Sequence, residues 1–399
     1  MADIPLSRLI ALEGLSAPLA FGPGTDAVAG GLVRVLRGWK ASAAKRGMPL
    51  ATVSQTPEGF LVERHDTGWD LPQQTAVGAV CQLVVEAVDL MVHADDRFGA
   101  LHAGAVAFDE RLVLLPARRR AGKSTLIAAL AAHGQTIVAD DLVLFETASG
   151  DALATGCLPR LRLPLPPAAG PELRAFVEAR TVLSDGYYAY LDPGEAVHAA
   201  HGRRFRFGAV VVPERMEAPG PARLEPLSED EALLALLTQD TRREADASAL
   251  FALHRGLAAT LPAWRLSYHA PEDGSACLVG VFSGESAAWS PRRSEEIEKD
   301  AATPQGRDGP FAPQPGVALH EVGDRAFLVK AATGDIHHLD PVGRAVWLLA
   351  TDGAGEDEIA ATLTEAFPGN DPAMIAADVR AILADLVGEG LMRAPQPPA

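Results

Sequence analysis

The stretch LVLLPARRRAGKSTLIAAL, residues 112–130, decides the expected fold of the chain. Its apolar residues 112–115 predict a buried strand, and residues 123–132 predict a helix that ends at Gly134. The loop between them, residues 117–122, leads into Gly-Lys-Ser at the helix start. A strand, a loop and a helix in this order form the setting of a phosphate-binding loop.

The loop meets the pattern G-x-x-x-x-G-K-[ST] except at its first glycine, where Ala117 stands. Backbone N–H groups at a helix start, together with the helix dipole, form an anion site. Lys123 is then expected to bridge the terminal phosphates, and the Ser124 hydroxyl is expected to ligate Mg²⁺. The alternative is a helix start that contains Gly-Lys-Ser by chance. Six residues are assigned to the nucleotide: Arg120, Ala121, Gly122, Lys123, Ser124 and Thr125.

Two consecutive carboxylates, Asp140 and Asp141, follow Lys123 by 17 and 18 residues. A helix of about ten residues, a turn at Gly134 and a strand of about five residues fill that gap. In a right-handed crossover the second strand is parallel to the first and adjacent to it, so its end arrives beside the phosphate loop. We therefore expect a base and a Mg²⁺ ligand here, although Asp141 as a simple turn cap remains the alternative.

The segments LHAGAV (101–106), AGKSTL (121–126), HG (133–134) and VADD (138–141) together resemble the HPr kinase/phosphorylase family. They resemble more closely the related kinases that lack the HPr-specific parts. The resemblance implies an α/β fold shared by HPr kinase and PEP carboxykinase, with ATP and Mg²⁺ as cofactors. It implies that Lys123 holds the phosphates, that Ser124 holds the magnesium, and that Asp140 accepts the proton of the attacking hydroxyl. Asp141 is assigned as the second metal ligand from its position beside the phosphate loop. His102 would lie in the site, or else be a packed structural histidine.

The sequence departs from the family at Ala117 and Arg120, where the family has glycines. Arginine does not take a positive φ as readily as glycine, nor does it let a phosphate come as close. The three arginines at 118–120 either point outward or reach the nucleotide or an acidic substrate. Glu172 and Arg204 are counterparts, on position alone, of the family's metal-binding glutamate and later catalytic arginine. An active site is favoured over a degenerate one.

The predicted domain boundaries follow from composition. Residues 1–282 precede the boundary, and the resemblance implies that they form an HPr kinase-like nucleotide-binding domain with its core at about residues 95–282, where strands alternate with helices. Residues 283–315 are rich in Pro, Gly, Ser and charge, and predict a flexible linker. Residues 316–394 form a small C-terminal domain. Because the three cysteines are far apart and no secretory signal is seen at the N-terminus, we expect a cytoplasmic protein.

The C-terminal domain is predicted to be a winged-helix-like α+β unit. Residues 325–339 alternate around Thr333-Gly334-Asp335, which indicates a β-hairpin. Asp340 and Asp371, each followed by proline, predict the starts of two of the three helices. The segments HHLDPVGRAVWLLATDG (337–353), EIAATLTEAFPG (358–369) and DVRAILADLVGEGLM (378–392) resemble the PqqD family of peptide chaperones, also called RiPP recognition elements.

The PqqD resemblance implies that the domain binds the leader of a ribosomally made precursor peptide, as an added strand beside the hairpin and against the third helix. Residues 326–330 are the candidate edge strand. DNA binding is excluded because residues 316–399 carry 13 acidic and 5 basic side chains. The net charge of −17 also argues against nucleic acid and an anionic membrane as partners. Whether the chain forms a homo-oligomer stays open.

Together the two resemblances predict an ATP-dependent kinase that phosphorylates a Ser or Thr hydroxyl of a precursor peptide. The leader-binding domain would raise the local concentration of that peptide at the kinase site. The competing hypothesis is a peptide-binding chaperone with an inert nucleotide site that presents the peptide to other enzymes. A kinase unrelated to peptide natural products is a third hypothesis, which the PqqD-like segment disfavours.

Overall fold

A computed structural model describes residues 8–44, 47–93, 98–118, 121–147, 149–241, 247–292 and 309–394. The elements up to residue 146 are, in chain order, β1 (Arg8–Leu12), β2 (Leu19–Phe21), α1 (Asp26–Val35), β3 (Ala41–Ala43), β4 (Ala51–Thr56), β5 (Gly59–Arg64), β6 (Trp69–Gln73), α2 (Ala76–His93), β7 (Phe98–Leu101), β8 (Ala103–Phe108), β9 (Arg111–Pro116), α3 (Lys123–Ala132), β10 (Thr136–Ala139) and β11 (Val143–Glu146).

The remaining elements follow in the same order. They are β12 (Ala152–Leu153), β13 (Arg160–Arg162), α4 (Pro171–Arg180), β14 (Thr181–Ser184), β15 (Tyr188–Leu191), β16 (Arg204–Arg215), β17 (Arg223–Pro226), α5 (Glu229–Leu237), α6 (Ala247–Thr260), β18 (Ala263–Tyr268), α7 (Pro271–Phe282), a 3₁₀ helix (Ala287–Trp289), β19 (Ala312–Pro313), β20 (Val317–Val322), β21 (Arg325–Lys330), β22 (Asp335–Leu339), α8 (Pro341–Thr351), α9 (Glu356–Ala366), α10 (Pro372–Gly388) and β23 (Met392–Arg393).

The described chain divides into two compact units. The first comprises Met1–Leu227, Thr238–Thr241 and Leu261–Pro291, and the second comprises Ser228–Leu237, Arg242–Thr260 and Arg292–Ala399. The division differs from the expected domains, because residues 228–237 and 242–260 belong with the C-terminal part. The physical reason lies in the packing of α6, whose Phe251 is buried against the ring of Phe327 in β21.

The strands described in the first unit form three sheets. A six-stranded sheet has the order β3-β1-β2-β4-β5-β6, and its core includes apolar residues of α1 and α2. A nine-stranded sheet follows the path β10-β8-β9-β16-β12-β11-β7, with β18 and then β17 added beside β16. A third sheet has the order β13-β15-β14. The α/β character expected for this region is confirmed.

The strand order corrects one expectation about the phosphate loop. Strands β9 and β10 are not adjacent, because β8 lies between them and pairs antiparallel with both. Two strands that are each antiparallel to β8 run in the same direction, so both end at the same edge of the sheet. The loop after β9 and the carboxylates after β10 therefore still meet.

The second unit contains the predicted hairpin and the three predicted helices, α8, α9 and α10, together with α5 and α6. Strands β21 and β22 pair antiparallel from Lys330↔Asp335 to Ala326↔Leu339. Asp340 caps α8 by accepting the Gly343 N–H at 2.6 Å, and Asp371 caps α10 by accepting the Ala373 N–H at 3.0 Å. The sequence reading missed β20, which makes this a three-stranded sheet.

The addition of β20 overturns the predicted edge strand. Residues 326–330 lie in β21, which pairs with β20 on one side and with β22 on the other. It is therefore the central strand. Its apolar run AFLV is buried without alternation, as in strands that are covered on both faces.

The predicted linker, residues 283–315, is shorter than expected at both ends. Trp289 of the 3₁₀ helix is 7% exposed and packs in the core that contains Phe108 and Phe282. Phe311 is buried in the core of the second unit, and β19 pairs with β23. Residues 293–308 lie outside the described residues. No helix in the described parts of the chain is long and apolar enough to cross a bilayer.

Candidate functional site

The loop between β9 and α3 depends on glycine at its last position. Gly122 precedes α3 with φ +88°, a backbone conformation that side chains disfavour. A Cβ on Gly122 would lie 2.8 Å from the hydroxyl oxygen of Tyr268, too close to be accommodated without a shift. The Tyr268 hydroxyl also donates to the carbonyl of Ala121 at 3.4 Å. The turn into the helix is thus set by Gly122 and closed by Tyr268.

Lys123 begins α3 and points into the interior beside the two carboxylates. Its side chain is 9% exposed, and its Nζ lies 3.8 Å from Oδ1 of Asp141. Gly104 in β8 makes room for it, since a Cβ there would lie 3.3 Å from Cγ of Lys123. Among the described residues, Nζ of Lys123 has no hydrogen-bond partner. A buried ammonium with open donors is suited to an anionic ligand.

Asp140 lies directly after β10 and is buried, with 7% of the residue exposed. Its Oδ2 accepts the backbone N–H of Arg160 at 3.1 Å, and it takes a side-chain hydrogen bond from Ser124. Its Oδ1 has no hydrogen-bond partner among the described residues. One oxygen is therefore held in place while the other is open to a donor.

Asp141 is half-exposed and held from three directions. Nε2 of His102 lies 2.9 Å from Oδ1, and the Arg160 guanidinium lies 3.4 Å from Oδ2. The third contact is Lys123. Although only alternate side chains of a strand share a face, both aspartates follow the end of β10 and reach the same lysine. His102 follows β7, and its backbone N–H donates to the carbonyl of Gln239 at 2.7 Å.

The two neighbouring carboxyls have opposite pKa shifts. Burial, and then the negative charge of Asp141, raise the pKa of Asp140 above its ordinary value of 3.8. Burial also opposes ionisation of Asp141, but the hydrogen bond from His102 and the positive charges of Lys123 and Arg160 outweigh it and lower its pKa. Burial lowers the pKa of Lys123, against the attraction of both aspartates. A carboxyl with a raised pKa next to one that stays ionised is typical of acid–base sites.

Two cavities include parts of this site. One has a volume of about 250 Å³, reaches Asp140, Asp141 and His102, and has mostly apolar walls. The other has a volume of about 1010 Å³ and is lined by Arg118, Ala121 and Arg215 together with residues of β16 and β18. The larger volume lies at the top of the range of about 300–1,000 Å³ of small-molecule sites. It has the size for a nucleotide, whereas the smaller cavity has the size of a side chain.

The structure brings together most of the residues that the sequence assigned to the site. His102, Lys123, Ser124, Asp140 and Asp141 form one cluster, and Ala121, Gly122 and the half-buried Thr125 belong to the loop and first turn. Arg120 lies outside the described residues, as does Arg119. Arg118 is exposed and lines the larger cavity.

The two counterparts chosen on position alone do not join the cluster. Glu172 is exposed in the first turn of α4. Arg204 begins β16, which is parallel to β9, and pairs with Glu146 at 2.7 Å. The loop that leads into α3 follows the carboxyl end of β9, so Arg204 is at the opposite end of these strands. The expectation for Arg204 is wrong because sequence order gave no information on strand direction.

Sequence reasoning missed Arg160 and Arg215. Arg160 supplies a backbone donor to Asp140 and a guanidinium to Asp141. Arg215 ends β16, and its Cδ is 3.7 Å from the position of a Cβ on Gly122. No local pattern identified Arg160. Arg215 ends a long apolar strand in an α/β region. Because ligands bind at the carboxyl ends of such strands, this position was the signal that could have identified Arg215.

The site residues fit a magnesium nucleotide. The described residues contain no group of three or more His, Cys, Asp or Glu side chains placed to hold a metal ion. Magnesium does not require one, because it commonly binds through one or two carboxylates and the phosphates of the substrate. Asp141 and Ser124 are the groups that would hold it, and the open Nζ of Lys123 would contact the phosphates.

The second unit presents a sheet that is covered on both faces. Val317, Leu319, Ala326, Leu328 and Leu339 share a core with Trp347 of α8. The opposite face carries His320 and Phe327, whose rings lie 4.5 and 5.5 Å from Phe251 of α6. Arg325 and Asp230 of α5 form an ion pair at 2.9 Å on the same unit. Only the edges, β20 and β22, lack a second strand neighbour among the described residues.

Comparison with known proteins identifies part of the second unit. Residues 325–392 match the family model described as Coenzyme PQQ synthesis protein D (PqqD), so the chain contains a PqqD-like domain. A solved structure titled "TbiB1 in Complex with the TbiA(beta) Leader Peptide" is 23% identical over 22% of this chain and 99% of that chain, with a TM-score of 0.20. The comparison with curated proteins finds no match.

Proposed function

We propose that the protein is an ATP-dependent kinase that phosphorylates a Ser or Thr hydroxyl of a ribosomally made precursor peptide. The observation that carries the proposal is the pair of buried, unpartnered polar atoms of the described site, Nζ of Lys123 and Oδ1 of Asp140. Each would cost free energy unless a ligand satisfied it. A cation that holds phosphates and a base that accepts the proton of a hydroxyl are two of the groups from which kinase sites are built, together with Mg²⁺.

Each residue has a separate task in this reaction. Bound Mg-ATP supplies the phosphoryl group and the charge neutralisation by the metal. The N–H groups at the start of α3 and Nζ of Lys123 hold the phosphates. Oδ1 of Asp140 accepts the proton of the peptide hydroxyl, while the Arg160 N–H on Oδ2 fixes the orientation of that carboxyl. His102 positions Asp141.

The PqqD-like domain would recruit the peptide by strand addition. Both faces of its sheet are covered, so an incoming strand has to bind at an edge. The resemblance places the leader beside the hairpin, and β20 already occupies the outer side of β21. We therefore assign the leader to the open edge of β22, residues Asp335–Leu339. A tethered core peptide reaches an effective concentration in the millimolar range.

The chemistry is tested with the full-length chain, Mg-ATP and, as substrates, synthetic peptides that correspond to the short open reading frames neighbouring its gene. Lys123→Met is expected to abolish the mass increase of the peptide. The matched control is Val33→Met, which introduces the same residue at a position of α1 that is 42% exposed. Unchanged phosphorylation by Lys123→Met would contradict the assignment. Circular dichroism confirms that each variant is folded.

Peptide recruitment is tested by hydrogen exchange of the full chain with and without the precursor. We expect protection of the amides of β22, with those of β20 serving as the internal comparison. Protection confined to β20 would contradict the assignment to β22 and would show that the leader binds at the β20 edge. No protection in either strand would refute recruitment by strand addition.

The alternative is a peptide-binding chaperone with an inert nucleotide site. The observation that favours it is Ala117, which is 4% exposed and stands where the loop pattern requires glycine. Calorimetry with Mg-ATP separates the two functions. An inert site gives no heat of nucleotide binding in the wild type, whereas the kinase gives heat that Lys123→Met reduces.

A further inference from the structure

The smaller cavity begins at the catalytic carboxylates and continues between apolar side chains. We call it the acceptor pocket and define it by Val84, Val88, Leu142 and Leu158, with Asp140 at its polar end. Val88 and Leu158 are buried, and Val84 and Leu142 are half-buried. Residues of α2 form one wall, and the chain after β10 and after β12 forms the others. The proposed mechanism uses Asp140 but none of these apolar groups.

The acceptor pocket has the volume of one side chain. Its volume is about 250 Å³, and an apolar cavity of about 150 Å³ already holds a benzene molecule. It is too small for a nucleotide, which the larger cavity can take. Any group bound here lies beside Asp140, which is one of the lining residues, and the proposed function places the acceptor hydroxyl at that carboxyl.

We propose that the acceptor pocket binds an apolar side chain adjacent in sequence to the phosphorylated Ser or Thr. This inference rests on the proposed kinase function and specifies its substrate class. A hydroxyl next to Leu, Ile, Met or Phe is the preferred acceptor, because burial of the neighbouring side chain positions the hydroxyl at Asp140. Val84 and Val88 are the residues that determine specificity.

The charges around the pocket disfavour an acidic neighbour. Asp89, Asp140 and Asp141 line the cavity, against the positive Arg160 and a histidine. Asp89 is already paired with Arg64 at 2.6 Å, and Arg160 contacts Asp141. A carboxylate brought in by the substrate would be buried among these groups without a cation of its own. Acidic residues beside the hydroxyl are therefore expected to be the poorest acceptors.

The experiment uses leader-free synthetic hexapeptides, Gly-Gly-Xaa-Ser-Gly-Gly and Gly-Gly-Ser-Xaa-Gly-Gly, at millimolar concentration with the full-length protein and Mg-ATP. Xaa is Gly, Ala, Leu, Phe, Trp or Glu. Phosphate transfer is followed by mass, and peptide affinity is measured separately by calorimetry. In one of the two positions, Leu or Phe is expected to raise kcat/KM over Gly by about 10- to 200-fold, the discrimination that a hydrophobic pocket can achieve.

Two variants of Val84 test whether the pocket determines specificity. The quantity compared is the ratio of kcat/KM between peptides, which a purely structural defect would not change. Val84→Trp reduces the pocket and is expected to lower kcat/KM for the Leu and Phe peptides to the level of the Gly peptide. Val84→Ala enlarges it and is expected to shift the preference toward Trp. A loss of transfer that is equal for all peptides in both variants would contradict a specificity role.

The outcomes separate this inference from the proposed function. Transfer to serine peptides without preference for an apolar neighbour overturns the acceptor pocket and leaves the kinase standing. No transfer to any peptide, including the precursor, overturns the kinase. In that case the peptide affinities from calorimetry test the acceptor pocket by themselves. If the Gly and Leu peptides bind equally well, and Val84→Trp changes neither affinity, the pocket is overturned as well.

Discussion

Asp140→Asn is the most informative substitution in the proposed site. It removes the carboxylate that we propose as the base and keeps a side chain of nearly the same size and shape. In the wild type, Oδ2 of Asp140 accepts the Arg160 N–H at 3.1 Å, and Oδ1 is buried without a partner among the described residues. Asparagine retains an acceptor oxygen for the Arg160 N–H and replaces only the open oxygen by an amide group. We expect phosphate transfer to fall by about 10²–10⁴-fold, the contribution of a positioned general base. At 1.36 kcal/mol per factor of ten, the barrier rises by about 3–5 kcal/mol.

The same substitution should not lower stability at pH 7. Because burial raises the pKa of Asp140, the folded wild type binds this proton more tightly than the unfolded chain does. Wild-type stability therefore falls as the pH rises from the unfolded pKa through the folded one. The Asn variant does not titrate and does not lose this stability. Its advantage over the wild type should be present at pH 7 and disappear at a pH below the ordinary carboxyl value of 3.8.

Asp141→Asn is the matched control, since its pKa shift has the opposite sign. The fold lowers the pKa of Asp141 through His102, Lys123 and Arg160, so its ionised form contributes stability above the unfolded pKa. That contribution is lost as the pH falls through the folded pKa. At pH 7 the Asp141→Asn variant should be less stable than the wild type.

Urea unfolding at several pH values and transfer rates measured by mass test both statements. In the pH profile of kcat/KM, the acid limb reports the Asp140 carboxyl of the free enzyme. We expect that limb above the usual range of an aspartate, and we expect it to be absent from Asp140→Asn. The reasoning would be refuted if Asp140→Asn transferred phosphate at the wild-type rate. It would also be refuted if Asp140→Asn were less stable than Asp141→Asn at pH 7.

Three further substitutions test other parts of the molecule. Arg64→Ala removes a buried cation held between carboxylates of α2 and should cost about 3–5 kcal/mol in urea unfolding. Phe251→Ala removes the ring packed on Phe327 and should cost about 3–5 kcal/mol, with faster amide exchange in β21 as the readout. Arg215→Ala should raise the KM for ATP by about tenfold or more, the value of one charge-assisted contact, whereas Arg204→Ala should leave it unchanged.

The local sequence predicted the local structure around the loop between β9 and α3 well. The apolar run of β9, the bounds of α3 and the end of the helix at Gly134 all follow from short-range rules, and the structure has them. The insertion of β8 between β9 and β10 does not follow from such rules, because strand order depends on long-range pairing. The carboxylates nevertheless reach Lys123, since their position requires only that β9 and β10 run in the same direction.

The predictions that failed share one cause. Arg204 and the edge strand were assigned from position along the chain, while the outcome depended on strand direction and on a strand that was not recognised. The segment VALHEV of β20 alternates apolar and polar residues and is a strand signal. The unbroken run AFLV in β21 is a second signal, because a strand at an open edge with one covered face is expected to alternate.

The helices α5 and α6 determine how the PqqD-like domain can be studied and used. They lie between β17 and β18 in the sequence, and both belong to the second unit. Part of the segment between them, Thr238–Thr241, belongs to the first unit, where the carbonyl of Gln239 accepts the His102 N–H. A cut at residue 316 therefore removes the sheet that covers Phe251, and a fragment that begins there lacks the helix that covers Phe327. Loss of activity on truncation would mix a packing defect with loss of the peptide site, so point substitutions at the β22 edge and at Val84 are the cleaner way to separate recruitment from catalysis.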